Sequence, residues 1–156
     1  MTTPPLIPAH GTFSISRDYP QTPAQVFHAH KDYDLKRRWF AEGEGFELHH
    51  YTLDFQVGGR ESASFSFQGG PPISMEMVHQ VIIPDRCIVI AYHMDAGEFP
   101  ISASLSTIRF EPRGSGTRLT YTEQGVYFTG DPDEVKNREE GSVGLLERLG
   151  EVLAEG

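Results

Sequence analysis

Between Phe46 and Gly125 the dominant hydrophobic period is two, and this constrains the fold more than any other feature of the chain. Ala63, Phe65 and Phe67 alternate with Ser62, Ser64 and Ser66, which suits a strand with one face on a core and the other in water. Leu53, Phe55 and Val57 alternate up to Gly58-Gly59, a pair that supplies the positive φ of a tight hairpin turn. Ile73, Met75 and Met77 alternate with Ser74 and Glu76 in a strand that ends at Pro84-Asp85. An almost continuous apolar run from Cys87 to Met94 follows, and then two strands, 101–111 and 117–124, joined by Pro112-Arg113-Gly114-Ser115-Gly116. Consecutive hairpins without strand–helix alternation predict an antiparallel meander rather than a parallel sheet.

The flanks supply helices. Phe13 to Asp18 alternates as one more strand, after a proline-rich lead over residues 1–11 that reads as flexible; residues 12–156 read as one domain. Thr22-Pro23-Ala24-Gln25 combines a capping Thr22, a proline at the first helical position and a Gln25 that can reach back, so a short helix should bury Val26, Phe27 and His30 or Ala29. A second helical piece is expected from Asp34 to Phe40. After Gly130 the period becomes 3.6, with Asp131 as cap and Pro132 at the first helical position. Val143, Leu146, Leu149 and Leu153, flanked by Leu145 and Val152, form its apolar stripe, which Gly141 and Gly144 weaken. The fold class is therefore α+β: about seven strands in one curved antiparallel sheet, two short helices, and a long C-terminal helix laid across the sheet.

Charge and composition exclude several functions. Thirteen Lys and Arg stand against 22 Asp and Glu, a net charge of −9, so the basic footprint of a nucleic-acid binder is missing. No apolar run approaches the ~20 residues of a membrane helix, and the N-terminus lacks the basic and apolar segments of a leader, so a cytoplasmic location and no membrane partner are expected. The single Cys87 cannot form an internal disulfide and lacks a neighbouring base. His28 and His30 point in different directions on a helix, as do His49 and His50 on a strand, so neither a metal nor another cofactor is expected. Lys36-Arg37-Arg38 reads most simply as the solvated side of a short helix. A charge of −9 is compatible with a monomer or a homodimer.

Five stretches in order carry a resemblance: Pro23-Ala24-Gln25-Val26-Phe27, Leu35-Lys36-Arg37-Arg38-Trp39-Phe40, Leu53-Asp54-Phe55-Gln56-Val57-Gly58-Gly59-Arg60, Val81-Ile82-Ile83-Pro84-Asp85-Arg86 and Gly116-Thr117-Arg118-Leu119-Thr120-Tyr121. Over roughly residues 12–154 the chain resembles the family named for the activator of the heat-shock-protein ATPase, within the START-related (SRPBCC) superfamily. The resemblance implies a helix-grip fold. It also implies a choice among hydrophobic-ligand carriers, aromatase or cyclase enzymes, and stress-response or co-chaperone proteins. The eukaryotic co-chaperone carries a further N-terminal domain with no counterpart here, so chaperone activation is not expected.

A curved sheet gripping a helix encloses a concavity, the default site for a small apolar or aromatic ligand. Its expected lining is Phe55, Phe65, Phe67, Met75, Met77, Leu105 and Tyr121 from the strands, with Trp39 and Phe40 near one mouth and Leu145, Leu146 and Leu149 as lid. Each of these side chains taken alone is better explained by core filling. His79 keeps parity with Met75 and Met77, and Glu123 with Leu119 and Tyr121, so both are candidate orienting groups or proton carriers. A hydrogen-bonded core histidine and a strand-end glutamate in water are the plainer readings. Three functions follow: sequestration of a small hydrophobic molecule; a cyclase or dehydratase using His79 with Glu123 or Tyr121; or a protein-interaction module using the outer face.

Overall fold

The structure, a computed structural model, describes residues 6–156. Seven strands, β1 (Ala9–Tyr19), β2 (Phe46–Leu53), β3 (Arg60–Phe67), β4 (Ile73–Ile83), β5 (Cys87–Ala96), β6 (Phe99–Arg113) and β7 (Gly116–Tyr127), form one antiparallel sheet in the order β1-β7-β6-β5-β4-β3-β2. The helices are α1 (Pro23–Lys31), α2 (Tyr33–Lys36), which runs on as a wider π-type turn over Arg37–Ala41, and α3 (Glu134–Ala154). This is the helix-grip architecture: α1 and α2 carry the chain from one edge strand to the other, and α3 lies in the concave face.

The elements form for local reasons visible in the sequence. Thr22 Oγ1 accepts from the Gln25 amide at 3.2 Å and Gln25 Oε1 accepts from the Thr22 amide at 2.9 Å, the reciprocal cap expected at the start of α1. Val26, Phe27, Ala29 and His30 are all buried by it. Between β6 and β7, Gly114-Ser115 makes a two-residue turn with Gly114 at φ +60°, because Arg113 and Gly116 still pair.

Three expected boundaries move. Ala9, His10 and Gly11 do not belong to a free lead: they pair with Tyr127, Val126 and Gly125, and so complete the ladder along the last turn of β7. The first five residues of that lead lie outside the described residues. The alternation up to Val57 does not stay in the sheet, since β2 ends at Leu53. The Asp54 amide donates to Arg60 O at 2.9 Å and the Gly59 amide to Gln56 O at 2.8 Å, closing a compact loop in which a Cβ on Gly59 would sit 2.2 Å from Asp54 O. Finally, α3 starts at Glu134 instead of Pro132. Asp131 shapes the preceding turn, accepting from the Asp133 amide through its side chain and from the Glu134 amide through its carbonyl, while Glu134 reaches back to the Thr129 amide.

Lys36 also departs from expectation. It is not solvated but 3% exposed, because the turn from α2 into the π segment aims it under the sheet edge.

Candidate functional site

The inward side chains of the strands fall into transverse rows fixed by the register. One row is Glu61, Met77, Tyr92, Ser104 and Gly125; the next toward the open end is Ala63, Met75, Met94, Ser102 and Tyr127. Over these rows, and under the first half of α3, lies a cavity of about 660 Å³. That volume is within the usual range for small-molecule sites. Trp39, Phe40, Phe65, Phe67, Met75, Met77, Tyr121, Leu145 and Leu146 line it, as the sequence predicts. The π segment accounts for the first two: its Arg37 carbonyl accepts from the Glu42 amide at 3.0 Å, and the wider turn brings both Trp39 and Phe40 to the wall. Phe46 and Met94 line it too, and strand parity with Leu48 and with Tyr92 was available to find them.

Five predicted residues stand elsewhere. Leu105 is on the outer face at 39% exposure, since β6 turns Ser102, Ser104 and Ser106 inward. The apolar side chain faces water because the serines have polar partners inside. Phe55, carried off the sheet by the loop after β2, packs edge-on against Phe27 at 5.6 Å. Leu149 is wholly buried in the solid core beyond the cavity. His79 lies behind the wall, its Nδ1 on Gly59 O at 3.1 Å and its ring 5.2 Å from Phe55. Since that carbonyl only accepts, Nδ1 donates, and Nε2 is left 3.6 Å from Glu61 Oε1, beyond a hydrogen bond.

Glu123 is neither in water nor open to the cavity: it is completely buried. Its Oε1 accepts from Tyr92 at 2.5 Å and Tyr121 at 2.8 Å, its Oε2 from Tyr127 at 2.8 Å, and the Ser104 hydroxyl and Arg138 Nη1 approach Oε2 at 3.3 and 3.4 Å. Ser106 adds a weak contact at 3.5 Å. A carboxylate offers about four lone-pair directions, so this one is saturated by the protein and has none left for a substrate proton. Gly125 permits the arrangement, because a Cβ there would lie 2.7 Å from the Tyr127 hydroxyl that folds back to Glu123. Burial first, and then the neighbouring phenol and carboxylate groups, push the Tyr92, Tyr121 and Tyr127 hydroxyls well above the ordinary tyrosine range. For Arg138, burial pulls downward but is outweighed by Tyr92 and Glu123, which raise it.

A second buried carboxylate sits at the other edge. Glu61 accepts from Tyr51 at 2.7 Å and pairs with Lys36 Nζ at 3.2 Å, and the lysine also stands over the Phe40 ring at 4.5 Å. Burial and then Glu61 raise the Tyr51 hydroxyl. His30, against Trp39 at 4.9 Å, is driven down to about 3 by burial and by Lys36, so its ring is neutral at pH 7.

Sequence reasoning missed Glu61, Tyr92, Tyr127 and Arg138. Glu61 does share parity with Ala63 and Phe65, and Arg138 precedes Ser142, Leu145 and Leu149 at helical spacing, so a polar residue at a core-facing position was the available signal. His79 and Glu123 are not brought together. They occupy one row, separated by Ile90 and Ser106, about 14 Å along the sheet at 4.8 Å per strand. Among the described residues no three His, Cys, Asp or Glu side chains converge as a metal site.

Solved structures share this architecture. The chain is similar to the Mll3558 protein of Rhizobium loti, at 47% identity over 94% of this chain and 99% of that one, with a TM-score of 0.85. It is similar to a protein of Rhizobium leguminosarum at 33% identity over 96% and 98%, with a TM-score of 0.90. The CV1439 protein of Chromobacterium violaceum, at 22% identity over 91% and 96% with a TM-score of 0.78, shares the fold. No curated protein matches the chain. The family model described as Activator of Hsp90 ATPase homolog 1-like protein matches residues 20–154, nearly the whole length over which the hairpins, α3 and the cavity are built, and the chain belongs to that family.

Proposed function

We propose that the protein binds a small, mostly apolar or aromatic molecule in the cavity between the sheet and α3. The observation that carries this is an unfilled volume of about 660 Å³ with a mainly apolar wall. Filling such a space removes apolar surface from water at roughly 25 cal/mol per Å². Met75, Met77 and Met94 all lie on this wall, and thioethers adapt to rings of varied shape. Sequestration fits the polar groups as well: Glu123 is saturated and His79 is outside the cavity, so the acid–base pair a cyclase or dehydratase would require is not assembled.

The test is a ligand survey on the whole protein. Native mass spectrometry of protein from its own host should show a bound small molecule, and a thermal-shift screen of apolar aromatics should raise Tm. Met75→Trp and Leu145→Trp, both at half-buried wall positions, should abolish those shifts while leaving the circular dichroism unchanged. Absence of any bound molecule together with no shift from the screen overturns the reading.

A further inference from the structure

We propose that Arg138 is the head-group site of the cavity, donating to a neutral oxygen acceptor, a carbonyl-type group, on an otherwise apolar ligand. This rests on the ligand-binding reading above. Arg138 is on the first half of α3, its side chain 16% exposed and on the cavity wall. The guanidinium has five N–H donors, and three protein contacts involve them: Nη1 with Tyr92 Oη at 3.0 Å and with Glu123 Oε2 at 3.4 Å, and Nη2 with Ser102 Oγ at 2.8 Å. Nε–H and one further N–H have no acceptor among the described residues. The plane is held in place by those contacts and by the Tyr127 ring, 5.2 Å from its central carbon. Donors fixed before a ligand arrives cost it little ordering, which is what makes a polar group an orienting one.

Charge decides the class of acceptor. The positive charge of Arg138 already faces the buried Glu123 carboxylate, and Asp131 and Glu134 border the same end of the cavity. An anionic head would meet three carboxylates, those of Glu123, Asp131 and Glu134, against the one guanidinium of Arg138 at this end. A ketone, ester or amide oxygen accepts the free N–H groups without adding charge, and the hydrogen bond remains charge-assisted. The three tyrosine hydroxyls already donate to Glu123, so Arg138 is the strongest free donor at this end.

Three probes of one ring size separate the alternatives: 2-acetylnaphthalene, 2-ethylnaphthalene and 2-naphthoate, titrated by calorimetry into the full chain at pH 7. The acetyl compound should bind at least tenfold more tightly than the ethyl compound, and the carboxylate no better than the ethyl compound. The preference for acetyl over ethyl should vanish in Arg138→Met. Because that variant leaves Glu123 without its cation, the Arg138→Met/Glu123→Gln double variant repeats the measurement with no unpaired buried charge left at this end. Equal affinity for acetyl and ethyl compounds, or tightest binding of the carboxylate, overturns the head-group assignment while ethyl binding keeps the cavity reading alive. If none of the three binds, both fall together.

Discussion

The two ends of the concave face are built from the same strands and roofed by the same helix, yet one is solid and the other hollow. At the solid end Leu146, Leu149 and Val152 of α3 meet Ile88, Ile108, Phe110 and Leu119, with Val26 and Phe27 of α1 closing the side. At the hollow end α3 presents Asn137, Arg138, Gly141 and Ser142. Those are short or polar side chains, and the space between them and Met75, Met77 and Met94 stays open. Curvature makes room at both ends; the residues of the helix decide whether the room is filled.

Breaking the polar roof should have the largest effect. Arg138→Met leaves Glu123 buried without its cation and is expected to cost about 3–5 kcal/mol in urea unfolding, much of it recovered in Arg138→Met/Glu123→Gln. A single variant within 1 kcal/mol of wild type would show that the network contributes little to the fold. Next, Leu149→Ala in the solid end should cost about 2–5 kcal/mol, while Leu145→Ala, bordering space that is already empty, should cost about 1 kcal/mol. Equal losses would mean that the two ends are packed alike.

Proton linkage sharpens the contrast at opposite ends of the pH scale. His30 has a folded pKa near 3 against 6.5 unfolded, so below pH 6.5 the unfolded chain binds the extra proton and stability falls until about pH 3. Between pH 7 and pH 5 this amounts to about 2 kcal/mol, and His30→Phe should flatten that part of a stability–pH curve. The tyrosines around Glu123 are raised, so their contribution is complete below pH 10 and lost above it. Absorbance at 295 nm should therefore show them ionising only with unfolding. The smallest effect belongs to Gly141, where an added Cβ meets nothing within 4 Å: Gly141→Ala should stabilise α3 by about 0.5–1 kcal/mol.

Legibility followed the range of the interaction. The capping box of α1, the β6–β7 turn and the α3 stripe depend on neighbours a few residues away, and each formed where its local pattern lay, whereas the alternation before Gly58-Gly59 left the sheet at Leu53. Five of the predicted wall residues, Phe65, Phe67, Met75, Met77 and Tyr121, follow from strand parity, because parity carries one side of a sheet with it, and Trp39, Phe40, Leu145 and Leu146 follow from the helical segments that flank it. Parity failed where a polar network competed with burial. Leu105 was expected inside because it is apolar, but Ser104 and Ser106 take that face to meet Glu123, whose other donors, Tyr92, Tyr121, Tyr127 and Arg138, come from β5, β7 and α3. Lys36 gave no local sign that it faces Glu61, which is 25 residues away in the chain.

By itself the sequence determined the meander, the capped first short helix with a second helical piece after it, and the amphipathic helix that crosses the sheet, since period and turn chemistry act over a few residues. Only the tertiary structure decided that two carboxylates would be buried, that a phenol cluster and one arginine would share Glu123, and that the space beneath α3 would stay open. Those outcomes depend on side chains far apart in sequence reaching one point, and on the volume left over once they have done so, which no local pattern encodes.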